Sequence, residues 1–194
     1  MEELIRRIQE LSTGTMTTEI HGPPRFGPNP DVAAVNKTFA RPDAREFYAR
    51  FDPQNVVIAS LWGDLTLFPF AALEQEQAGY AFNAKTRAPE EEWPAGMLVF
   101  GECSADPLII NPAEAGEILF AMHGQGKWDP LPIAADLDGF LKTCIAWLDM
   151  ERQRGEKLFN EDDELAEESW GLFVRLARDA GIPQHYIDNM AKLA

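Results

Sequence analysis

The stretch that decides the fold is DLDGFLKTCIAWLDM, residues 136–150. Leu137, Phe140, Leu141, Cys144, Ile145 and Leu148 recur at i, i+3, i+4, i+7, i+8 and i+11. That spacing puts them on one stripe of a helix, and a stripe of this kind needs a sheet to lie on. Asp136 stands where an N-cap belongs. Cys144 falls on the apolar stripe and reads as core.

The residues before it supply the sheet. Val56–Leu61 and Leu65–Phe68 are short apolar runs separated by Gly63-Asp64, which reads as a β-hairpin. Met97–Gly101, Pro107–Asn111 and Glu117–His123 follow in quick succession, with Ser104-Ala105-Asp106 and Ala115-Gly116 as turn formers. Connections this short mean an antiparallel meander. A last strand over Lys127–Ile133 is confined to an edge by Pro130 and Pro132. The expected fold class is α+β, with a single antiparallel sheet of about six strands flanked by helices.

Helices are expected over residues 2–12, from the Leu4, Ile5, Ile8 and Leu11 spacing, and over 31–40, with Asp31 as N-cap. Pro42 opens another, striped by Ala44, Phe47, Tyr48 and Phe51 and stopped at Asp52-Pro53. Pro69 starts one through about Ala78. Residues 15–30 hold Gly22-Pro23-Pro24 and Gly27-Pro28-Asn29-Pro30 and read as a loop or extended arm, mobile or laid over the body. Residues 83–95 are polar and irregular. After Met150 a C-terminal helical extension, residues 151–194, is expected. The acidic block Glu161–Glu164 suits the first turn of its main helix. Gly181 reads as the C′ residue of that helix, and Pro183 opens a final short one.

Lys and Arg number 17 against 32 Asp and Glu, for a net charge of −15. Such a surface repels phosphate backbones and anionic membranes, so neither nucleic acid nor membrane is an expected partner. It speeds encounter with a basic protein and also favours solubility. Cys103 and Cys144 are isolated, which suits a reducing compartment. The N-terminus begins acidic and lacks an apolar signal core, and no stretch approaches the ~18 apolar residues of a membrane span. The expected location is the cytoplasm.

From Pro42 to Leu148 the order of elements is distinctive. Leu65-Thr66-Leu67-Phe68-Pro69-Phe70-Ala71-Ala72-Leu73 runs a strand into a short helix. Val99-Phe100-Gly101-Glu102 precedes Ala105-Asp106-Pro107-Leu108-Ile109-Ile110-Asn111, and Glu117–His123 follows. Trp128, Ile133-Ala134 and Leu137 with Phe140-Leu141 close the series. This ordered set resembles the SUKH superfamily, which includes fungal cell-wall regulators of the Knr/Smi type and many bacterial immunity proteins. Arg41-Pro42 and Asp52-Pro53-Gln54-Asn55 depart from the family's usual Leu-Pro and Asn-Gly-Gly. The resemblance implies a SUKH-like domain over residues 1–150, led by an N-terminal helix and the arm. It implies protein binding without catalytic residues: neutralisation of a toxin, or scaffolding of signalling proteins.

Candidate site residues follow from chemistry. Asp64, Glu102 and Asp106 lie at turns and offer carboxylates to a basic partner, or a carboxylate pair for acid–base work. Cys103, His123 and Asp106 are the parts of a thiol nucleophile, its base and an orienting group, so the rival reading is a small cytoplasmic hydrolase. Cys103 otherwise reads as a packing residue. Trp62, Trp93 and Trp128 lie near turns or polar segments; two are expected in the core, with Trp93 as the exposed anchor. Partner contacts are therefore expected at Trp93, Asp64, Glu102, Asp106 and Trp128. His21, His123 and His185 show no ligand spacing, and Gly124-Gln125-Gly126-Lys127 lacks the phosphate-loop pattern and reads as a hairpin turn. No metal or cofactor is expected.

Overall fold

The computed structural model describes residues 1–125 and 127–193. Its strands are β1 (Arg25–Gly27), β2 (Asp52–Ser60), β3 (Gly63–Leu67), β4 (Leu98–Cys103), β5 (Asp106–Ile110), β6 (Ile118–Phe120) and β7 (Leu131–Ala134). They form one antiparallel sheet in sequential order, a seven-stranded meander. The helices are α1 (Glu2–Ser12), α2 (Met16–His21), α3 (Val32–Thr38), α4 (Pro42–Arg50), α5 (Leu137–Arg154), α6 (Glu167–Asp179) and α7 (Gln184–Leu193). The fold is α+β, and among the described residues no helix is long and apolar enough to cross a membrane.

Helix α5 is the expected one. Asp136 caps it by accepting from the Gly139 N–H at 2.7 Å. Leu137, Phe140, Leu141, Cys144 and Leu148 are buried, and Phe140 meets Phe100 of β4 edge to face at 5.6 Å. Thr143, Ala146, Trp147 and Met150 are buried as well, so burial extends beyond a single stripe. Helix α1 packs along one side, with Arg7 donating to Asp149 at 2.9 Å, and α6 covers another, with Phe173 against Trp147. Burial pushes the Cys144 thiol up to about 12, as befits a core residue.

A buried ion pair fixes where α5 begins. Arg41, with no exposed side-chain surface, donates from Nε and Nη2 to the two oxygens of Asp43 at 2.7 and 2.6 Å. Nη2 also donates to the Gly116 carbonyl ahead of β6. Asp43 accepts the Leu137 N–H, the first of α5, at 3.1 Å. One pair thus joins the start of α4, the start of α5 and the β5–β6 connection.

Several expectations are corrected. The Pro/Gly-rich arm contains α2 and β1. Pro and Gly begin only at Gly22, and Thr15 caps the six residues before it. The arm lies on the body: the buried Asn29 amide donates to Asp52 at 2.8 Å, and β1 pairs with the start of β2. That pairing makes the seventh strand. The β2–β3 turn is Leu61-Trp62, two residues earlier than Gly63-Asp64, because Ser60 pairs with Gly63 and donates to its carbonyl. The segment after Pro69 forms two 3-10 turns, Phe70–Ala72 and Gln75–Gln77, in place of one helix. Glu161–Glu164 is a loop. Asn160 Oδ1 accepts from the N–H groups of Asp162 and Glu164, which competes with a helical turn, and α6 starts at Glu167. The Gly181 cap is as expected: its φ is +81°, and Ile182 N–H reaches back to the Ala177 carbonyl.

The face of β4 away from α5 is covered by the segment between β3 and β4. Phe100 is an extra residue in β4, opposite no partner in β5. The buried Gln77 amide fills the resulting gap in the ladder, accepting from Val99 N–H and donating to its carbonyl, both at 2.9 Å. Gly101 beside it has no room for a side chain, since a Cβ would lie 2.5 Å from the Thr66 carbonyl. This bulge places Glu102 at the rim of the surface described below.

Two carboxyl groups give opposite pH responses. Burial pushes Asp43 up, but the hydrogen bonds from Arg41, Leu137 and Ala44 outweigh it and hold the carboxyl below its ordinary value. Its stabilisation is therefore complete above the ordinary carboxylate range and fades as pH falls through its lowered pKa. Asp43→Asn is expected to cost about 3 kcal/mol at neutral pH, with the gap to the native chain narrowing in acid. Glu151 is raised by burial, with the charge of Asp64 adding to it, and its Oε2 has no hydrogen-bond partner among the described residues. Ionised, it destabilises the fold; protonation relieves the strain as pH falls through the raised pKa. Glu151→Gln is expected to stabilise the chain at neutral pH, with the advantage vanishing at the ordinary carboxylate range. Urea denaturation of the three proteins from pH 3 to 8 measures both slopes.

Candidate functional site

The β4–β5 turn is Ser104-Ala105, and both residues have positive φ, +52° and +71°. Two-residue hairpins demand this geometry, and Asn-Gly normally supplies it. The turn brings Glu102, Ala105 and Asp106 to one end of the sheet.

Tyr80 lies against them, in the loop after the second 3-10 turn. Its hydroxyl donates to Glu102 Oε2 at 2.7 Å, and the Ala105 carbonyl lies 3.1 Å from the same hydroxyl. Burial raises the Tyr80 phenol strongly, and the hydrogen bond to Glu102 and the charges of Glu102, Asp106 and Glu76 add to the rise. The phenol is a fixed donor to Glu102.

Trp93 and Trp128 complete an aromatic cluster. Tyr80 stands 5.9 Å from Trp93 and 5.7 Å from Trp128, and the two indoles meet edge to face at 5.5 Å. Trp93 is 9 % exposed and donates from Nε1 to the Met97 carbonyl. It is buried and not the exposed anchor expected from its polar neighbourhood. Residues 81–90 fold back on themselves, with Glu90 N–H bonded to the Ala81 carbonyl and Phe82 bridging to Pro89, and this tucks Trp93 under Tyr80. Trp128 is half-buried and holds the exposed position.

Asp106 accepts both the backbone N–H and the Nδ1 of His123 at 2.6 Å. Between these groups is an open hollow of about 340 Å³, lined by Glu76, Tyr80, Glu102, Ala105, His123 and Trp128 among others. A neighbouring hollow of about 250 Å³ shares Gly124 and Trp128 with it and is also lined by Glu92, Met122 and Lys127. Of the Gly124–Lys127 segment, Gly126 lies outside the described residues; Gly124 has φ +75° and sits in a turn.

The structure therefore gathers Glu102, Asp106, Trp128 and, beneath them, Trp93. It leaves Asp64 elsewhere, where Thr17 donates to it at 2.6 Å and His21 lies 3.2 Å away. Tyr80 and Glu76 were not evident from sequence: a lone tyrosine after Gly79 carries no spacing signal. Trp62 is half-buried and stacked on Phe120 at 4.4 Å.

Cys103 donates its thiol hydrogen to the Trp62 carbonyl at 2.9 Å, while His123 is held by Asp106. The two groups thus have different partners. Burial raises the Cys103 thiol; contacts from Ser60 and Ser104 offset part of the rise, and the charges of Asp106 and Asp64 add smaller increments to it. A thiol kept protonated is a poor nucleophile. Among the described residues no group of three His, Cys, Asp or Glu side chains is placed to hold a metal ion.

No family model matches the sequence, and neither a curated protein nor a solved structure matches it.

The Ser104-Ala105 turn carries a measurable cost, since a left-handed alanine is disfavoured by ~1 kcal/mol. Ala105→Gly keeps the carbonyl facing Tyr80 and is expected to raise Tm by about 2–4 °C in a chain of this size. Calorimetry checks this.

Proposed function

We propose that this chain is a non-catalytic module that binds another protein, of the SUKH kind that residues 42–148 resemble, and that its partner is basic. One observation carries the reading: aromatic rings at the end of the sheet with Glu76, Glu102 and Asp106 around them, on a chain of net charge −15. A half-buried indole within a polar rim is the usual anatomy of a binding hot spot. Carboxylates around it favour a cationic partner and its rapid capture. Neutralisation of a basic toxin is the function this arrangement serves best.

The hydrolase alternative is weaker on its own terms. It needs a thiolate beside a base, and Cys103 and His123 are each committed elsewhere.

The test is capture of a partner on the immobilised chain from the source organism at low salt, then rebinding with the purified partner. The expected partner has a high isoelectric point, and its association rate falls tenfold or more as salt screens the rim, by roughly the span electrostatic steering gives. Co-expression should relieve any toxicity of that partner. An acidic or neutral partner, or binding indifferent to salt, would sink the proposal.

A further inference from the structure

The hollow beside Trp128 differs from a general acidic surface in ways that select its occupant. Tyr80 OH occupies only one oxygen of Glu102; Oε1 has no donor among the described residues, and neither does the Glu76 carboxylate. Asp106 holds His123 through Oδ1 at 2.6 Å and is not among the residues lining the hollow. Two acceptor carboxylates therefore remain, beside an indole that is only half-buried. No lysine or arginine is among the described residues lining this hollow; Lys127 lines the neighbouring hollow that shares Gly124 and Trp128 with it, and pairs with Asp129 at 3.3 Å. The described lining thus carries two carboxylates and neither lysine nor arginine.

The rings decide between cations. Tyr80, Trp93 and Trp128 touch one another, with centroids 5.5–5.9 Å apart. That is direct ring contact. No space is left between them for a quaternary ammonium, so they are not an open cage. What the cluster offers is the half-buried indole of Trp128, with the Glu76 and Glu102 carboxylates lining the same hollow. A planar guanidinium stacks on an indole face and donates in a fork to carboxylate oxygens, whereas an ammonium is a compact point charge that does neither.

We infer that the hollow lined by Glu76, Glu102 and Trp128 receives an arginine side chain of the protein partner. This rests on the protein-binding reading above and names the group recognised. The arginine lies on Trp128 and donates to Glu102 Oε1 and Glu76. His123, tethered to Asp106, forms the far wall.

The probe is an acetylated, amidated Gly-Gly-Arg-Gly-Gly peptide, with lysine and citrulline counterparts, added to the full-length chain. The readout is the indole N–H resonance of Trp128, assigned with Trp128→Phe. The arginine peptide is expected to shift it saturably, the lysine peptide to bind several-fold more weakly, and the neutral citrulline peptide not to bind. Glu76→Gln with Glu102→Gln retains the acceptor for Tyr80 and is expected to weaken arginine binding about tenfold, the equivalent of one charge-assisted contact. An unchanged Tm shows that this variant folds. Equal shifts from citrulline, arginine binding indifferent to the double variant, or unsaturable shifts spread over the surface would each overturn the inference. If the double variant still captures the salt-sensitive basic partner at full strength, the arginine assignment fails and the module reading stands. If arginine binds here but the captured partner is not basic, the partner reading fails instead.

Discussion

Everything in this fold depends on the contact between Arg41 and Asp43. The pair sits where three segments distant in sequence converge: the first turn of α4, the first N–H of α5 and the carbonyl of Gly116. Removing two charges from water is costly, and only bidentate geometry with further hydrogen bonds offsets the cost. Asp43 meets that condition, since its oxygens also accept the N–H groups of Ala44 and Leu137. Arg41 Nη1 has no partner among the described residues, so the pair does not maximise stability. What it does is specify where α5 starts. A slip of one residue there would rotate the whole apolar face of α5 by about 100° away from the sheet.

With α5 fixed, the two faces of the sheet acquire different tasks. One face is filled by α5, and α5 is in turn enclosed by α1 and α6. A single core runs from Ile5 near the start of the chain to Leu193 near its end. The C-terminal helices are part of this core. Phe173 of α6 packs on Trp147, and α7 guards the edge strand β7, where Asn189 donates to the Pro132 carbonyl. That contact matters because an open edge strand invites pairing with another chain. On the other face, among the described residues, no long helix covers β4. It is covered by short turns, of which Gln77 and Tyr80 are the fixed points, and the hollow lies at their margin.

Legibility in the sequence followed the range of the forces involved. Helices with their own stripes, such as α1, α4 and α5, are written locally, as are the Pro42 start of α4, the Asp136 cap of α5 and the Gly181 cap. The meander was readable because turn formers punctuate short apolar runs. Elements held by distant residues were not. β1 is three residues long and exists because Asp52 holds Asn29 and β2 offers an edge. Glu161–Glu164 suits a helix dipole and a loop equally, and the preceding Asn160 decides in favour of the loop. The site was half legible for the same reason. Glu102, Asp106 and Trp128 lie by turns and could be named. That Trp93 would be covered and Trp128 uncovered depends on the path of residues 81–97, which have no periodicity to read.

Local preference and global structure agree through most of this chain and part company at the rim of the hollow. Ser104 and Ala105 both adopt left-handed backbone where Asn-Gly would suit, and Tyr80 holds a phenol against a carboxylate at the edge of the core. Neither feature improves the packing of α5 or the sheet. Natural sequences keep such mismatches mainly where another demand competes with stability. Here the mismatched residues share one edge with Trp128. The Ala105 carbonyl and Glu102 together fix the Tyr80 hydroxyl, and Tyr80 supports the indole of Trp128. The strained turn therefore acts on the hollow beside Trp128 through a chain of direct contacts, from the Ala105 carbonyl to the Tyr80 hydroxyl and from the Tyr80 ring to the indole.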